Sequence, residues 1–207
     1  MVPPTHPRTT TRPSPRQSRI SPEREAQMYA AVIDMLRETG YDALSMEAIA
    51  TRVRWSKATL YRRFSGKQEL VAMALRHQSP LRTDTYDTGS LAGDLHAMVD
   101  ARSDQRLHAD AALLRGVFRA LHTDEELGDA LRAVDHDELG ALVSRAVRRG
   151  ELAEHHPAIP HLPHLFVSAL VAHPLIEGGP ANRDFLHRYV DAVILSALGT
   201  EAPPHEA

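Results

Sequence analysis

Apolar residues recur every three to four positions along most of the chain, which is the period of an α-helix with one buried face. The first clear helix begins at 21–23, where a serine N-cap, a proline and an acid follow one another, and ends at Gly40. Shorter segments of the same kind follow at 46–53, at 57–64 and from Lys67 onward. No alternating strand pattern competes with them, so the sequence predicts an all-α fold.

Five further helices are predicted in the rest of the chain, which gives nine in all. Apolar residues at helical spacing mark 91–98 and 113–121, and a longer helix is expected from about 124 to 149. Two more helices, lined by apolar residues over 162–172 and 185–198, close the chain. Loops are expected near 79–89, 122–123, 150–159 and 178–182, where glycine, proline and polar residues collect.

The charge is distributed unevenly between the two parts of the chain. Residues 1–78 carry 13 Lys and Arg against 7 Asp and Glu, a balance of +6. Residues 79–207 carry 11 against 20, a balance of −9, and the two parts together give the net charge of −3. A basic N-terminal part followed by an acidic remainder is typical of a chain with one end that faces nucleic acid.

Composition excludes several classes of protein. The hydrophobic share of 43% and the charged share of 25% are ordinary for a soluble globular chain. The absence of cysteine excludes disulfide scaffolds, thiolate zinc sites, iron–sulfur clusters and cysteine nucleophiles. No nucleophile elbow, zinc-protease motif, P-loop or Gly-rich dinucleotide turn is present, so no enzyme is expected. The first twenty residues lack the apolar run of a signal peptide and no stretch approaches about 20 apolar residues. We therefore expect a cytoplasmic protein with no membrane partner.

A helix, a tight turn and a second short helix between 45 and 64 have the dimensions of a helix-turn-helix, whose second helix lies in the major groove. Length alone is weak evidence for this motif. The second helix adds a compact patch of hydrogen-bond donors suited to phosphates and base edges. The patch consists of Ser56, Lys57, Thr59, Tyr61, Arg62, Arg63 and Lys67.

The same residues carry a resemblance to a known family. Ile49-Ala50, the run Ser56-Lys57-Ala58-Thr59-Leu60-Tyr61-Arg62-Arg63-Phe64, and then Lys67 and Leu70 resemble the N-terminal signature of TetR-family transcriptional regulators. The resemblance covers roughly 24–75. It implies a three-helix helix-turn-helix domain followed by a larger helical ligand-binding and dimerisation domain. It also implies a regulator, most often a repressor, that binds a palindromic DNA operator as a homodimer and is released by a small-molecule effector.

The resemblance assigns roles to individual positions. Ser56 and its helix N-terminus would bind a phosphate, while Lys57, Ala58, Thr59 and Arg62 would face base edges. Tyr61, Arg63 and Lys67 would contact phosphates, and Thr51 and Arg52 are weaker backbone candidates. The predicted DNA-binding residues are Ser45, Thr51, Arg52, Arg54, Ser56, Lys57, Ala58, Thr59, Tyr61, Arg62, Arg63 and Lys67.

One position departs from the family pattern. The turn of the motif usually holds a glycine, where this chain has Arg54, followed by Trp55 in place of a smaller aliphatic residue. A left-handed conformation at Arg54 would cost about 1 kcal/mol relative to glycine. Either the turn is rebuilt slightly or Arg54 gains a phosphate contact.

These features divide the chain into four expected segments. A flexible basic arm is expected at 1–20, which holds four arginines, five prolines and no acid. The DNA-binding domain follows at 21–66, the ligand-binding and dimerisation domain at 67–200, and a flexible tail at 201–207.

Dimerisation is expected through the last two helices. Apolar pairs repeat every four residues over four turns of the final helix, a stripe too wide for one small domain to bury, although an ordinary core helix is the alternative. The two helices and their dyad mates would form a four-helix interface. The predicted interface residues are Leu162, Leu165, Phe166, Ala169, Tyr189, Val190, Val193, Ile194 and Ala197.

The effector cannot be named from the sequence, but bundle pockets are mostly apolar with a few polar groups. Candidate lining residues are His96, Met98, Leu114, Val117, Phe118 and Phe166, each of which could equally be plain core. His155, His156, His161 and His164 form a cluster that makes metal sensing conceivable. Without a carboxylate in register or a cysteine, no metal and no cofactor is expected. The alternative functions are a helical sensor or carrier without operator binding and a histidine-based metal sensor.

Overall fold

The computed structural model describes residues 21–78, 86–134 and 139–200, and every regular element in these ranges is helical, which confirms the all-α prediction. The last helix changes its winding, because α10 continues into a π-helical turn over Val190–Leu195. A short 3₁₀ turn at Ile159–His161 leads into α9. The ten α-helices are α1 (Pro22–Thr39), α2 (Met46–Val53), α3 (Lys57–Arg63), α4 (Lys67–His77), α5 (Leu91–Asp100), α6 (Asp104–Ala120), α7 (Glu125–Ala133), α8 (Gly140–Arg148), α9 (Leu162–Glu177) and α10 (Arg183–Tyr189).

Serine side chains begin the first three helices, as the sequence predicts. Ser21 accepts a hydrogen bond from the backbone of Arg24, and Ser45 accepts one from Ala48. Ser56 does the same for α3. Each cap satisfies one of the backbone N–H groups that a helix start leaves without a partner.

Helices α1 to α4 share one core with parts of the later helices. Leu60 of α3, Ile49 of α2 and Leu70 of α4 are fully buried in this core. Ala120 at the end of α6 and Leu127 of α7 belong to the same cluster. The helix-turn-helix therefore rests on α4, α6 and α7, so a movement of these helices reaches it through packed side chains.

A second core holds the remainder of the chain together. It is built from α5, α6, α8, α9 and the last helix, with Leu95, Leu142, Leu162 and Ile194 among its most buried residues. Leu121 and Leu131, in contrast, pack on the first core. The two cores meet along α6, which contributes to both.

The structure corrects the long helix expected at 124–149. Two helices are present there, α7 and α8, and the backbone at Val134 is extended, with φ −76° and ψ 131°. Leu127 on one side belongs to the first core and Leu142 on the other belongs to the second. The extended backbone at Val134 ends α7, and the described ranges hold ten α-helices instead of the nine expected.

Three expectations fall on residues outside the described ranges: the arm at 1–20, the tail at 201–207 and most of the loop at 79–89. By length and composition, one helical stretch in the described ranges, 159–177, could cross a membrane, and 22% of that stretch is buried. A single stretch of this kind is weak evidence for a membrane span, so it does not overturn the expectation of a protein with no membrane partner.

Candidate nucleic-acid interface and effector cavity

The recognition helix α3 has one buried face and one exposed face. Leu60 and the adjacent Phe64 are buried, which fixes the helix on the first core. Ala58, Tyr61 and Arg62 lie on the opposite face and are exposed, Tyr61 by 52% of its surface. A large aromatic side chain exposed to this extent and flanked by arginine is suited to packing along a sugar–phosphate backbone.

Lys57 at the start of α3 is paired with an acid of the preceding helix. Its Nζ lies 2.7 Å from Oε1 of Glu47 on α2, and both side chains are more than half exposed. The hydrogen bond from Lys57 is the main cause that holds the pKa of Glu47 below its usual value. Exposed pairs of this kind contribute little to stability, so a phosphate or base edge can replace the carboxylate at small cost.

Two more basic residues predicted to contact DNA also form ion pairs with acidic residues of other helices. Arg52 donates to both carboxylate oxygens of Glu38, at 2.7 and 3.2 Å. Arg63 donates to Oε1 of Glu25, at 2.6 and 3.1 Å. Burial opposes ionisation of Glu25, but hydrogen bonds from Arg63 and Tyr29 outweigh it and lower its pKa. Sequence reasoning missed these three acids, because only the tertiary fold brings them to the basic patch.

Arg54 and Arg62 are the unpaired cations of the motif, since neither side chain has a hydrogen bond or ion pair within the described ranges. Arg54 adopts the left-handed conformation, with φ 55° and ψ 41°, and is the only non-glycine residue described that has positive φ. Its backbone N–H bonds to the carbonyls of Ala50 and Thr51 and closes α2. The turn therefore keeps the left-handed conformation around arginine, and the Arg54 side chain is exposed.

Lys67 is held against the first core and reaches the surface only in part. Its Nζ lies 4.0 Å above the ring of Tyr41 and 3.4 Å from the Tyr41 carbonyl oxygen. The Tyr41 hydroxyl donates to Asp124 at 2.5 Å, and Gln68 donates to the same oxygen at 3.1 Å. The hydrogen bond from Tyr41 is the main cause that lowers the pKa of Asp124. Asp124 also caps α7 through Leu127, so this cluster ties the DNA-binding helices to α7.

Three cavities are lined by residues of the predicted effector site, and the one where the two cores meet has a volume of about 280 Å³. Leu114, Val117, Phe118 and Phe166, four of the six predicted lining residues, line it. Val117 also lines a cavity of about 220 Å³ beside Arg37 and Tyr41. Met98 lines a cavity of about 40 Å³ within the second core, to which Phe166 also contributes.

His96 does not line any of these cavities, and it joins α5 to the last helix. Its Nδ1 atom is 2.5 Å from Nδ1 of His187, and its Nε2 is 2.8 Å from Oδ1 of Asp191. His187 in turn contacts Asp100 through Nε2 at 2.8 Å. This chain of four polar groups fixes the packing of the two helices, a role that the helical spacing of His96 did not indicate.

The residues predicted for a dimer interface lie on two different faces. Leu165, Tyr189 and Val193 are half-buried and Ala197 is exposed, so their side chains reach the protomer surface. The other five are buried in the second core of their own protomer, so in this protomer only the first four reach the surface. These five are Leu162, Phe166, Ala169, Val190 and Ile194.

The prediction also missed the most exposed apolar side chains of the described ranges. Leu175 and Ile176, near the end of α9, are 79% and 77% exposed. They follow Pro174, which is inside the helix. They belong to the apolar stretch 159–177, of which only 22% is buried.

The histidine cluster predicted as a conceivable metal site is partly dispersed. The rings of His161 and His164 lie 6.1 Å apart between centroids and are tilted by 57°. His156 hydrogen-bonds the backbone of Ala158 through Nδ1. Within the described ranges no three His, Asp or Glu side chains come together in a way that could hold a metal ion.

Comparisons with known proteins cover both parts of the chain. Residues 29–74 match the family described as bacterial regulatory proteins, tetR family, and residues 85–193 match the tetracyclin repressor-like C-terminal domain. The chain is 35% identical over 177 residues to the DNA-binding transcriptional repressor TetR of Mycobacteroides abscessus, with 83% of this chain and 92% of that protein covered. It is 33% identical over 180 residues to an HTH-type transcriptional regulator of Mycobacterium tuberculosis, with 84% and 88% covered.

Solved structures agree with this assignment at the level of the fold. A crystal structure of a TetR-family transcription regulator aligns with a TM-score of 0.63 at 22% identity, covering 87% of this chain and all of that one. The family consists of transcriptional regulators and not enzymes, which confirms that expectation. The match over both domains shows that the chain belongs to the TetR family of DNA-binding transcriptional regulators.

Proposed function

We propose that the protein is a cytoplasmic repressor that binds a palindromic operator as a homodimer and leaves it when a small molecule binds. The observation that carries the proposal is the exposed face of α3, where Arg62 has no partner within the described ranges and Tyr61 is 52% exposed. An unpaired arginine on a recognition helix is suited to donate to guanine in the major groove. Lys57 is held by an exposed ion pair with Glu47, and Arg63, half exposed, is held by the partly buried Glu25.

Dimerisation supplies the second half-site. On α9 and the last helix, Leu175 and Ile176 are exposed and Leu165 and Val193 are half-buried, and single protomers rarely leave large apolar surfaces in water. Two copies that pack these surfaces about a two-fold axis would form the four-helix interface expected from the sequence. A two-fold dimer places its two α3 helices symmetrically, which requires an operator with inverted half-sites.

The effector would bind in the 280 Å³ cavity at the junction of the cores. Its walls combine Ile33 of α1 and Leu75 of α4 with Leu114 of α6, Leu131 of α7 and Val167 of α9. A molecule held there contacts both the DNA-binding helices and the body. It therefore shifts the spacing of the two α3 helices if it binds the DNA-bound and the released states with different affinity.

Selection of bound fragments from a random duplex library at about 0.15 M salt tests the operator, because weak non-specific binding largely disappears there. We expect a palindrome with half-sites about one helical turn or more apart. A folded protein that enriches no fragment would contradict the proposal and favour a sensor or carrier without operator binding.

Two variants then separate base reading from phosphate binding. Arg62→Ala is expected to lose about 1–3 kcal/mol on the selected operator and little on random DNA. Lys67→Ala is expected to weaken both alike and to lower the salt slope by about 1. Arg132→Ala, on the far surface of α7, is the matched control and should change neither. Equal losses for Arg62→Ala on both DNAs would remove its base-reading role.

A further inference from the structure

The cavity between the two cores is apolar along most of its wall but has a charged end. Leu114, Val117, Phe118 and Phe166 form part of the apolar wall. The charged end is formed by Arg37 of α1, Arg76 and Gln78 at the end of α4, and Asp110 of α6. The charged residues among the described lining residues are therefore Arg37, Arg76 and Asp110.

Arg37 has more N–H donors than the surrounding residues offer acceptors. Its Nη2 donates to Asp110 at 2.8 Å and its Nη1 to the exposed Asp34 at 3.3 Å. Its Nε is buried and has no acceptor within the described ranges. Asp110 is shared, because Arg106 also lies 3.2 Å from it. A buried donor without an acceptor is costly, and a guanidinium cannot relieve the cost by losing its proton.

We propose that the effector is an apolar molecule with a single carboxylate. This inference rests on the repressor function proposed above and names the ligand class of the same cavity. The apolar part lies among Leu114, Phe118 and Phe166. The carboxylate binds Arg37, whose planar fork matches a carboxylate with two parallel hydrogen bonds. A neutral alcohol of the same length offers one oxygen and no charge, so it binds more weakly.

The same carboxylate would act on the contact between the two domains. Arg37 belongs to α1 of the DNA-binding part and Asp110 to α6 of the body, and their ion pair joins them across 73 positions of sequence. A ligand carboxylate competes with Asp110 for the same guanidinium, while Arg106 stays beside Asp110 and compensates its charge. Binding thus exchanges an interdomain ion pair for a ligand ion pair, which loosens α1 from α6.

Decanoate and decanol are matched probes for this ligand class, since they share one chain and differ in the head group. Titration calorimetry on the full chain near neutral pH, where the carboxylate is ionised, gives both dissociation constants. We expect decanoate to bind about tenfold more tightly than decanol, the gain typical of a charge-assisted hydrogen-bonded pair. Equal affinities, tighter binding of decanol, or no binding of decanoate would overturn the proposal.

Two substitutions of opposite expected sign make the test specific. Arg37→Gln should remove the preference for decanoate and leave decanol binding unchanged. Asp110→Asn should strengthen decanoate binding several-fold, because it removes the competing carboxylate and retains the shape of the side chain. Arg132→Gln, on an arginine that is 74% exposed on α7, is the control and should change neither constant. If Asp110→Asn instead lost decanoate affinity to the same extent as Arg37→Gln, the substitution would have disturbed the packing. That result would overturn the proposed exchange of the Arg37–Asp110 ion pair for a ligand ion pair.

Operator binding measured on the same samples without ligand separates this inference from the proposed function. If the wild-type protein binds the selected operator but shows no preference for decanoate, only the proposed ligand class is contradicted. Failure to bind any operator contradicts the repressor itself. Decanoate that binds by way of Arg37 and also weakens the operator complex supports both.

Discussion

At the scale of single residues, Arg54 combines a conformational cost with an accessible positive charge. Its φ of 55° lies in the region that favours glycine, and its side chain is exposed with no partner in the described ranges. Left-handed backbone costs a non-glycine residue roughly 1–2 kcal/mol, and the greater unfolded-state freedom of glycine offsets part of that difference. An accessible cation at this turn is suited to contact a phosphate of DNA.

Arg54→Gly is therefore expected to have opposite effects on stability and on DNA binding. The free energy of unfolding should rise by about 1 kcal/mol, which raises the Tm by about 2–4 °C in a chain of this size. Affinity for DNA should fall because one phosphate contact is lost, with a smaller salt slope. Calorimetry and salt-dependent binding measure the two effects.

The matched control is Arg52→Gly, two positions earlier in the last turn of α2. There the backbone is right-handed helix, so glycine should lower the free energy of unfolding by about 1 kcal/mol. If both glycine variants destabilise the protein, the left-handed conformation of Arg54 is not strained. If Arg54→Gly leaves DNA affinity unchanged, Arg54 has no contact role.

At the scale of elements, helix periodicity and caps could be predicted because they depend on near neighbours in sequence. Ser45 and Ser56 cap their helices as expected, and the all-α fold follows from the same local pattern. The split between α7 and α8 could not be predicted, since Leu127 and Leu142 have the same local pattern but pack in different cores. The pairing of Arg63 with Glu25, 38 positions earlier, is likewise a product of the tertiary fold.

The hydrogen bond between Tyr41 and Asp124 is the contact by which the loop after α1 holds the start of α7. Tyr41→Phe should lower the free energy of unfolding by about 1.5–3 kcal/mol, because the bond is made to a charged acceptor. Asp124→Ala should cost about 1 kcal/mol more, since it also removes the cap of α7. Urea unfolding of both single variants and the double variant gives the coupling energy.

Tyr61→Phe is the control for Tyr41→Phe, because the Tyr61 hydroxyl has no partner in the described ranges and the side chain is 52% exposed. Its effect on stability should stay within about 0.5 kcal/mol. A coupling energy near zero in the double variant would show that Tyr41 and Asp124 contribute independently, against the hydrogen-bonded link.

A buried carboxylate ties α5 to α8 and makes stability depend on pH. Asp94 is buried and accepts from Thr88, Arg145 and Arg149. Burial opposes its ionisation, but the bonds from Thr88 and the two arginines outweigh it and lower its pKa. A carboxyl with a lowered folded-state pKa stabilises the protein above its unfolded-state pKa of about 3.9, and this stability is lost as the pH falls through the folded-state value.

Asp94→Asn should lower the free energy of unfolding by about 3 kcal/mol at neutral pH, because the buried Arg145 loses its counter-charge. The loss of stability on acidification from about pH 5 to pH 3 should be smaller in the variant than in wild type. Thermal unfolding across that range measures both effects. Asp129→Asn, which changes a 78% exposed carboxylate on α7, is the control. If Asp94→Asn and Asp129→Asn lose the same stability on acidification, Asp94 does not have this role.

At the scale of the whole molecule, the two cores explain which apolar residues remain for assembly. The stripe on the last helix has two sides: Val190 and Ile194 enter the protomer core, whereas Val193 and Ala197 face outward. Periodicity identified the stripe but could not separate its sides, because an apolar face gives the same pattern against its own core and against a partner.

Charge placed on the two sides of the last helix should therefore give different results. Val193→Asp should yield folded monomers whose operator affinity falls by about 100-fold, because each half-site is then bound without its linked partner. Ile194→Asp should unfold the protein, since it places a charge at a position that is 0% exposed in the protomer. Ser144→Asp, on the exposed surface of α8, should leave a stable dimer. Sedimentation velocity together with circular dichroism distinguishes these states, and a Val193→Asp dimer as tight as wild type would place the interface elsewhere.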